Sequence, residues 1–171
     1  IGAYGDFCVQ VDDAVGQVLS ALERKGIADN TIVVFTSDNG CAPYIGVPAM
    51  IEKGHYPSYI FRGYKHDIWE GGHRIPFILR WPDRVEAGSV SDEIICLTDL
   101  LATCAALTGA DLPVNAGEDS YNIMPAILGE ALTHPIREAT VHQADDGSLS
   151  IRQGRWKLEM CAGSGGRSSP T

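Results

Sequence analysis

Two short stretches of this chain carry side chains with the means for chemistry. The run TIVVFTSDNG (Thr31 to Gly40) is apolar until it stops at two adjacent oxygen-bearing side chains, Asp38 and Asn39. A carboxylate beside an amide carbonyl is a pair of hard oxygen donors, suited to Ca²⁺ or Mg²⁺ rather than Zn²⁺. Asp-Asn-Gly is equally a sequence that turns a chain. Two oxygens are too few for a divalent cation, so a metal reading requires ligands from elsewhere. The second stretch, GYKHDIWEGGHRIPFILRWP (Gly63 to Pro82), sets Lys65, His66, His73 and Arg74 around Gly71-Gly72. Paired glycines let backbone approach a ligand closely or take a positive φ. Lys65 is near enough in the chain to point into the same cleft. A lysine beside a divalent cation stabilises charge that develops on an oxyanion. His73 can orient a substrate hydroxyl or an anionic oxygen, and Arg74 can equally pair with Glu70 four residues before it.

The surrounding charge fits a small anionic ligand. The chain carries 13 basic and 22 acidic residues, a net charge of -9, which argues against nucleic acid or an anionic membrane as partner. Yet Lys53, Arg62, Lys65, Arg74, Arg80 and Arg84, with His55, His66 and His73, crowd one segment opposed only by Asp67, Glu70 and Asp83. No apolar stretch approaches the roughly 20 residues of a membrane span. The chain opens at Ile1 without a Met and is read as a piece of a longer protein, so a missing targeting segment carries no information. Five cysteines without metal-type spacing give neither a disulfide framework nor a zinc site. Cys96 and Cys104, among Leu, Ile and Ala, read as buried filler.

The elements that must position these residues read as an α/β layer architecture. Val11, Ala14, Val15, Val18, Leu19 and Leu22 form one stripe of an amphipathic helix that stops at Gly26. After a turn at Asp29-Asn30, Thr31 to Thr36 reads as a buried strand. In a mostly parallel sheet its carboxyl end would present Asp38 and Asn39 to a ligand. Residues 41 to 64 read as a long irregular loop, and Pro76 to Trp81 as a second strand. Thr98 is expected to cap a helix with Leu100, Leu101, Cys104 and Leu107 on one side, ended by Gly109. After Ala110 the texture changes. A short helix is expected around Ile123 to Leu128 with Pro125 in its first turn. A meander follows, Thr140–Ala144, Leu149–Arg152 and Trp156–Met160, with turns at Asp146-Gly147 and Gln153-Gly154. The tail GSGGRSSPT reads as mobile. Trp69, Trp81 and Trp156 are expected in cores.

TSDNG, then K-x4-EGG-x-R-x-P, then an apolar strand ending in Trp-Pro, then the hairpin IRQGRWKLE, resembles the C-terminal part of the sulfatase family over essentially the whole chain. The resemblance implies part of an alkaline-phosphatase-like α/β sandwich, a mixed sheet between helices, with a small C-terminal antiparallel sheet and helix. It puts residues 1–110 in the catalytic domain and 111–171 in a small C-terminal α+β subdomain. It implies that Asp38 and Asn39 are two ligands of a Ca²⁺ site (Mg²⁺ is possible) and that Lys65 contacts the sulfate ester. The wording GHYPSYIFRGYKHDIWEGGHRIPFI is similar to bacterial polysaccharide sulfatases, which makes His55, His73 and Arg74 candidates for substrate recognition. The implied substrate is a sulfated small molecule or glycan, with neither nucleic acid nor membrane as partner and a secreted or periplasmic location. Sulfatases draw their nucleophile, a formylglycine, from a C/S-x-P-x-R motif that this chain lacks. Cys41-Ala42-Pro43-Tyr44-Ile45 has Ile where Arg is required, so the chain alone is expected to be inactive. The alternatives are a phosphodiesterase or phosphonate hydrolase of the same superfamily, and a non-catalytic binder of sulfated glycans.

Overall fold

A computed structural model describes residues 2–169. The stripe that begins at Val11 lies on α1 (Ala3–Arg24), and the chain leaves this helix through Gly26 in a left-handed conformation at φ 65°. No residue of α1 is fully buried; of the stripe expected to face a core, Val15, Leu19 and Leu22 are half-buried, whereas Val11, Ala14 and Val18 stay exposed. The apolar runs on either side of the basic segment form β1 (Val33–Thr36) and β2 (Phe77–Arg80). They pair antiparallel, Val33 opposite Arg80 and Thr36 opposite Phe77. The expectation of a mostly parallel sheet is therefore corrected for this pair. Nor is β1 wholly buried: Phe35 and its partner Ile78 are both exposed.

The stretch from 41 to 64 is not irregular throughout. Left-handed Gly46 leads into α2 (Val47–Glu52), whose Pro48 sits in the first turn and whose Val47 and Met50 are buried. A further short helix, α3 (Glu70–His73), forms on the EGGH sequence itself. Beyond β2 come α4 (Asp99–Thr108), ended by left-handed Gly109, and α5 (Met124–Ile127), with Pro125 in its first turn. The meander is β3 (Thr140–Gln143), β4 (Leu149–Gln153) and β5 (Trp156–Glu159), in that spatial order.

The chain divides into two compact units. The first comprises Ile1–Trp81, His142–Ser150 and Glu159–Thr171; the second comprises Pro82–Val141 and Ile151–Leu158. In the first, Ile68, Trp69 and Ala144 form a small apolar cluster with Cys161 packed on it. In the second, the covered side of α4 is largely polar, Ala105 aside. Asp99 and Thr103 are buried, whereas Leu101, Cys104 and Leu107 of the expected stripe are exposed. Arg137, only 2% exposed, explains the inversion. Its Nε donates to both Asp99 carboxylate oxygens at 3.1 and 2.9 Å and its Nη2 to Oδ1 at 2.7 Å. Asp99 also accepts the backbone N–H groups of Cys96 and Tyr121 at 2.7 and 2.9 Å. Thr98 does not cap α4; its hydroxyl donates to the Asp119 carbonyl at 3.0 Å. Trp69 and Trp81 are buried as expected, but Trp156 is 74% exposed.

Candidate functional site

The turn after β1 presents Asp38 exposed and Asn39 half-buried. Asn39 Nδ2 donates to the Gly40 carbonyl at 3.0 Å, and the Ser37 hydroxyl donates to the Asn39 carbonyl at 3.0 Å. The turn is then locked to the second motif through backbone. Gly40 N–H donates to the Gly72 carbonyl at 2.9 Å, and Lys65 N–H donates to the Cys41 carbonyl at 2.9 Å. Glycine is required at this junction by space. A Cβ on Gly40 would overlap the Gly71 carbonyl, and one on Gly71 would overlap the Gly63 carbonyl with Arg62 O only 2.7 Å away. A Cβ on Gly72 would overlap the Asp67 carbonyl. The Gly71-Gly72 pair thus meets the protein's own backbone at close quarters, not a ligand, and neither takes a positive φ.

The structure brings Asp38, Asn39 and Lys65 to one backbone junction. Lys65 is half-buried, and its ammonium group makes no hydrogen bond or ion pair among the described residues. His73 and Arg74 follow directly from the same junction through α3. The His73 ring stacks on His142 at 3.7 Å, and its Nε2 lies 3.1 Å from the Ile68 carbonyl. Arg74 makes the pairing its spacing allowed, Nε to Glu70 Oε2 at 2.7 Å. His55 is held elsewhere. Its backbone N–H donates to the Met50 carbonyl of α2 at 2.9 Å, its ring lies 5.8 Å from that of Tyr4, and its buried Nε2 has no hydrogen-bond partner among the described residues.

Sequence reasoning passed over Asp67. It is buried, and its Oδ2 accepts Tyr64 N–H at 2.8 Å and the Ser168 hydroxyl. Oδ1 accepts the N–H groups of Arg167 and Ser168 at 3.0 and 3.1 Å. Burial alone pushes the Asp67 carboxyl up; the hydrogen bonds from Ser168 and Tyr64 outweigh it and hold the group below the usual aspartate range. The tail expected to be mobile is therefore anchored through Ser168, while Pro170 and Thr171 lie outside the described residues. Only the placement of a carboxylate between His66 and the apolar Ile68-Trp69 hinted at such a role.

Asp38 and Asn39 fit a hard cation as two of the six to eight oxygen ligands Ca²⁺ takes. The Asp38 carboxylate has no protein partner among the described residues, and Asn39 keeps its Oδ1 after its amide nitrogen is engaged. Among the described residues no cluster of three or more His, Cys, Asp or Glu could hold a metal, so the remaining donors must come from other residues. Burial first, and the neighbouring Cys8 second, push the Cys41 thiol above its ordinary value.

Comparison with known proteins settles the family. A sulfatase family model matches residues 1–110. An N-acetylgalactosamine-6-O-sulfatase of Bacteroides thetaiotaomicron is 36% identical over 160 residues, covering 92% of this chain and 31% of that protein. The Homo sapiens N-acetylgalactosamine-6-sulfatase is 39% identical over 136 residues, 79% of this chain and 25% of its own length. A solved structure titled for the metabolism of multiple glycosaminoglycans by Bacteroides thetaiotaomicron superposes with a TM-score of 0.82 at 35% identity, covering 91% of this chain and 32% of that one. The α/β arrangement with its small antiparallel sheets is that of the alkaline-phosphatase-like fold of these neighbours. The chain spans no more than a third of the relatives it matches, and over that span it belongs to the sulfatase family.

Proposed function

We propose that the complete protein is a sulfuric ester hydrolase acting on a sulfated carbohydrate, yielding the alcohol and inorganic sulfate. The observation that carries this reading is the double backbone lock, Gly40 to Gly72 and Lys65 to Cys41, which puts two hard oxygen donors and a half-buried lysine at one junction. Asp38 and Asn39 would hold Ca²⁺, with Mg²⁺ as the alternative, and the bound cation would draw charge from the sulfate oxygens. Lys65 places a positive charge where negative charge accumulates as the S–O bond breaks. His73, Arg74 and His55 contribute to binding the sugar, the first two from the segment leaving α3. The nucleophile, a formylglycine by family resemblance, and the remaining ligands come from residues other than these 171.

The relatives named for N-acetylgalactosamine 6-sulfate chemistry favour a sulfated amino sugar and, with it, a secreted or periplasmic setting. The family-model match over residues 1–110 supports that stretch as the C-terminal part of the catalytic domain, with 111–171 proposed as a smaller subdomain. The test is sulfate release by the complete protein from a panel of sulfated amino sugars, run beside phosphodiesters. Preferential turnover of the phosphodiesters overturns the reading. Replacing Lys65 by Ala should cost at least roughly 2 kcal/mol of transition-state stabilisation, and a kcat/KM within about threefold of wild type removes Lys65 from the mechanism.

A further inference from the structure

Lys65 sits inside a tight turn that one buried carboxylate closes. Asp67 N–H donates to the Tyr64 carbonyl at 3.0 Å, and Asp67 Oδ2 accepts Tyr64 N–H at 2.8 Å. Between them His66 is held at φ 85°, a left-handed backbone that a non-glycine residue seldom adopts. Such a conformation persists only where its surroundings over-determine it. Those surroundings are the tail. Arg167 N–H, Ser168 N–H and the Ser168 hydroxyl all converge on Asp67. Ile68 N–H donates to the Ser164 carbonyl at 2.7 Å, and Ser164 Oγ donates to the Ser168 carbonyl at 2.7 Å, closing the tail on itself. Gly166 rests on the His66 carbonyl, where a Cβ would lie 2.5 Å from that oxygen. On the other side, Asp145 N–H donates to the same His66 carbonyl at 3.0 Å, and the Asp145 carboxylate lies 3.2 Å from His66 Nδ1.

Asp67 makes no ion pair among the described residues; of its four hydrogen bonds one, from Tyr64 N–H, closes the turn carrying Lys65, and three join that turn to a segment a hundred positions later in the chain. We propose that Asp67 is a positioning residue for Lys65, and that Ser164–Ser168 is the strap that holds it in place. This rests on the role of Lys65 in sulfate-ester hydrolysis. The lysine is half-buried and its ammonium group has no partner among the described residues, so its placement depends on the backbone beneath it. A misplacement of about 1 Å is enough to cost a catalytic group most of its effect.

The experiment is a double-mutant cycle in the complete protein, with kcat and KM measured for Lys65→Ala, Asp67→Asn and the pair on a sulfated amino sugar it hydrolyses. An amide at position 67 can satisfy only part of the donor set. Asp67→Asn should lower kcat on the order of tenfold with KM little changed. In the Lys65→Ala background the same change should cost less than about twofold, because the group being positioned is gone. Ser168→Ala, which removes one donor, should show the same split more weakly and carries the test if Asp67→Asn does not fold. An Asp67 or Ser168 loss of equal size in both backgrounds overturns the proposal, as does a loss confined to KM or no loss at all. A Lys65→Ala variant as active as wild type overturns the role of Lys65 and the proposal with it, and that single variant tells the two failures apart.

Discussion

The two compact units each bury an aspartate, and they satisfy it in opposite ways. In the second unit Asp99, fully buried, meets a cation: Arg137 closes on it in a forked arrangement and spends its remaining donors on Asp119 and Thr98. In the first unit Asp67 meets none, and its charge is balanced by hydrogen bonds from Tyr64, Arg167 and Ser168. A buried ion pair fixes two side chains strongly but leaves an uncompensated charge if either partner is lost. A carboxylate ringed by N–H groups fixes backbone, and each bond can fail alone. The first arrangement suits a subdomain that needs a core. The second suits a turn whose backbone must be fixed, as the role proposed for Lys65 requires.

The largest effect should come from the ion pair. Arg137→Ala strands Asp99 in the interior and should cost about 3–5 kcal/mol, read as a fall in the denaturation midpoint of the complete protein. By contrast, Asp67→Asn keeps a partial hydrogen-bond set and should cost nearer 1–3 kcal/mol, the penalty for buried donors left unmet. If Asp67→Asn proves the more destabilising of the two, the contrast between a cation-based and a backbone-based anchor is wrong.

Glycines sharpen the same comparison within the first unit. Gly71→Ala drives a methyl group into the carbonyls of Gly63 and Arg62, which are backbone and cannot swing aside. It should cost about 1–3 kcal/mol and lower activity through Lys65 and the Gly40–Gly72 bond. Gly16, in the middle of α1, has open space where its Cβ would be. Gly16→Ala should stabilise by about 0.8–1 kcal/mol, the helix-propensity difference, without touching activity. Matching signs for the two variants would remove the argument that the junction needs glycine for space.

What was legible in the sequence is what local rules govern. The 3.6-residue stripe and its glycine stop gave α1, proline placement gave α5, and turn dipeptides marked the meander. The two motifs stood out in the sequence, and backbone bonds from Gly40 to Gly72 and from Lys65 to Cys41 join them. Long-range partnerships were not legible. Nothing local marks Asp99 and Arg137 as partners 38 residues apart, so the sequence does not reveal that Asp99 and Thr103 take the buried positions of α4 beside Ala105. The Gly71-Gly72 pair carries the right signal, close approach, but the sequence does not say that the approaching group is protein backbone. The tail was misread for the same reason: a Gly/Ser composition that frees a chain in isolation also lets it lie flat against Asp67 and His66. Within the 41–64 stretch, α2 is held by the burial of Val47 and Met50, which periodicity over six residues cannot reveal.

The smallest predicted effect is in acid, and its sign follows from the two carboxylates. Burial pushes both Asp67 and Asp99 up, and hydrogen bonding reverses this in each, from Ser168 and Tyr64 in one case and from Arg137, Cys96 and Tyr121 in the other. Each folded-state value therefore lies below the unfolded one, near 3.9. A group shifted this way contributes stability that is fully present above the unfolded value and is lost as pH falls through the folded one. The protein should accordingly hold a constant contribution from both groups at neutral pH and lose it progressively below about pH 4. Asp67→Asn removes its share of this titration, so its midpoint should fall less steeply over that window than wild type. If the variant and wild type lose stability in parallel from pH 5 to pH 3, Asp67 is not the anion that its four donors imply, and the tail is held by hydrogen bonds to a neutral carboxyl group.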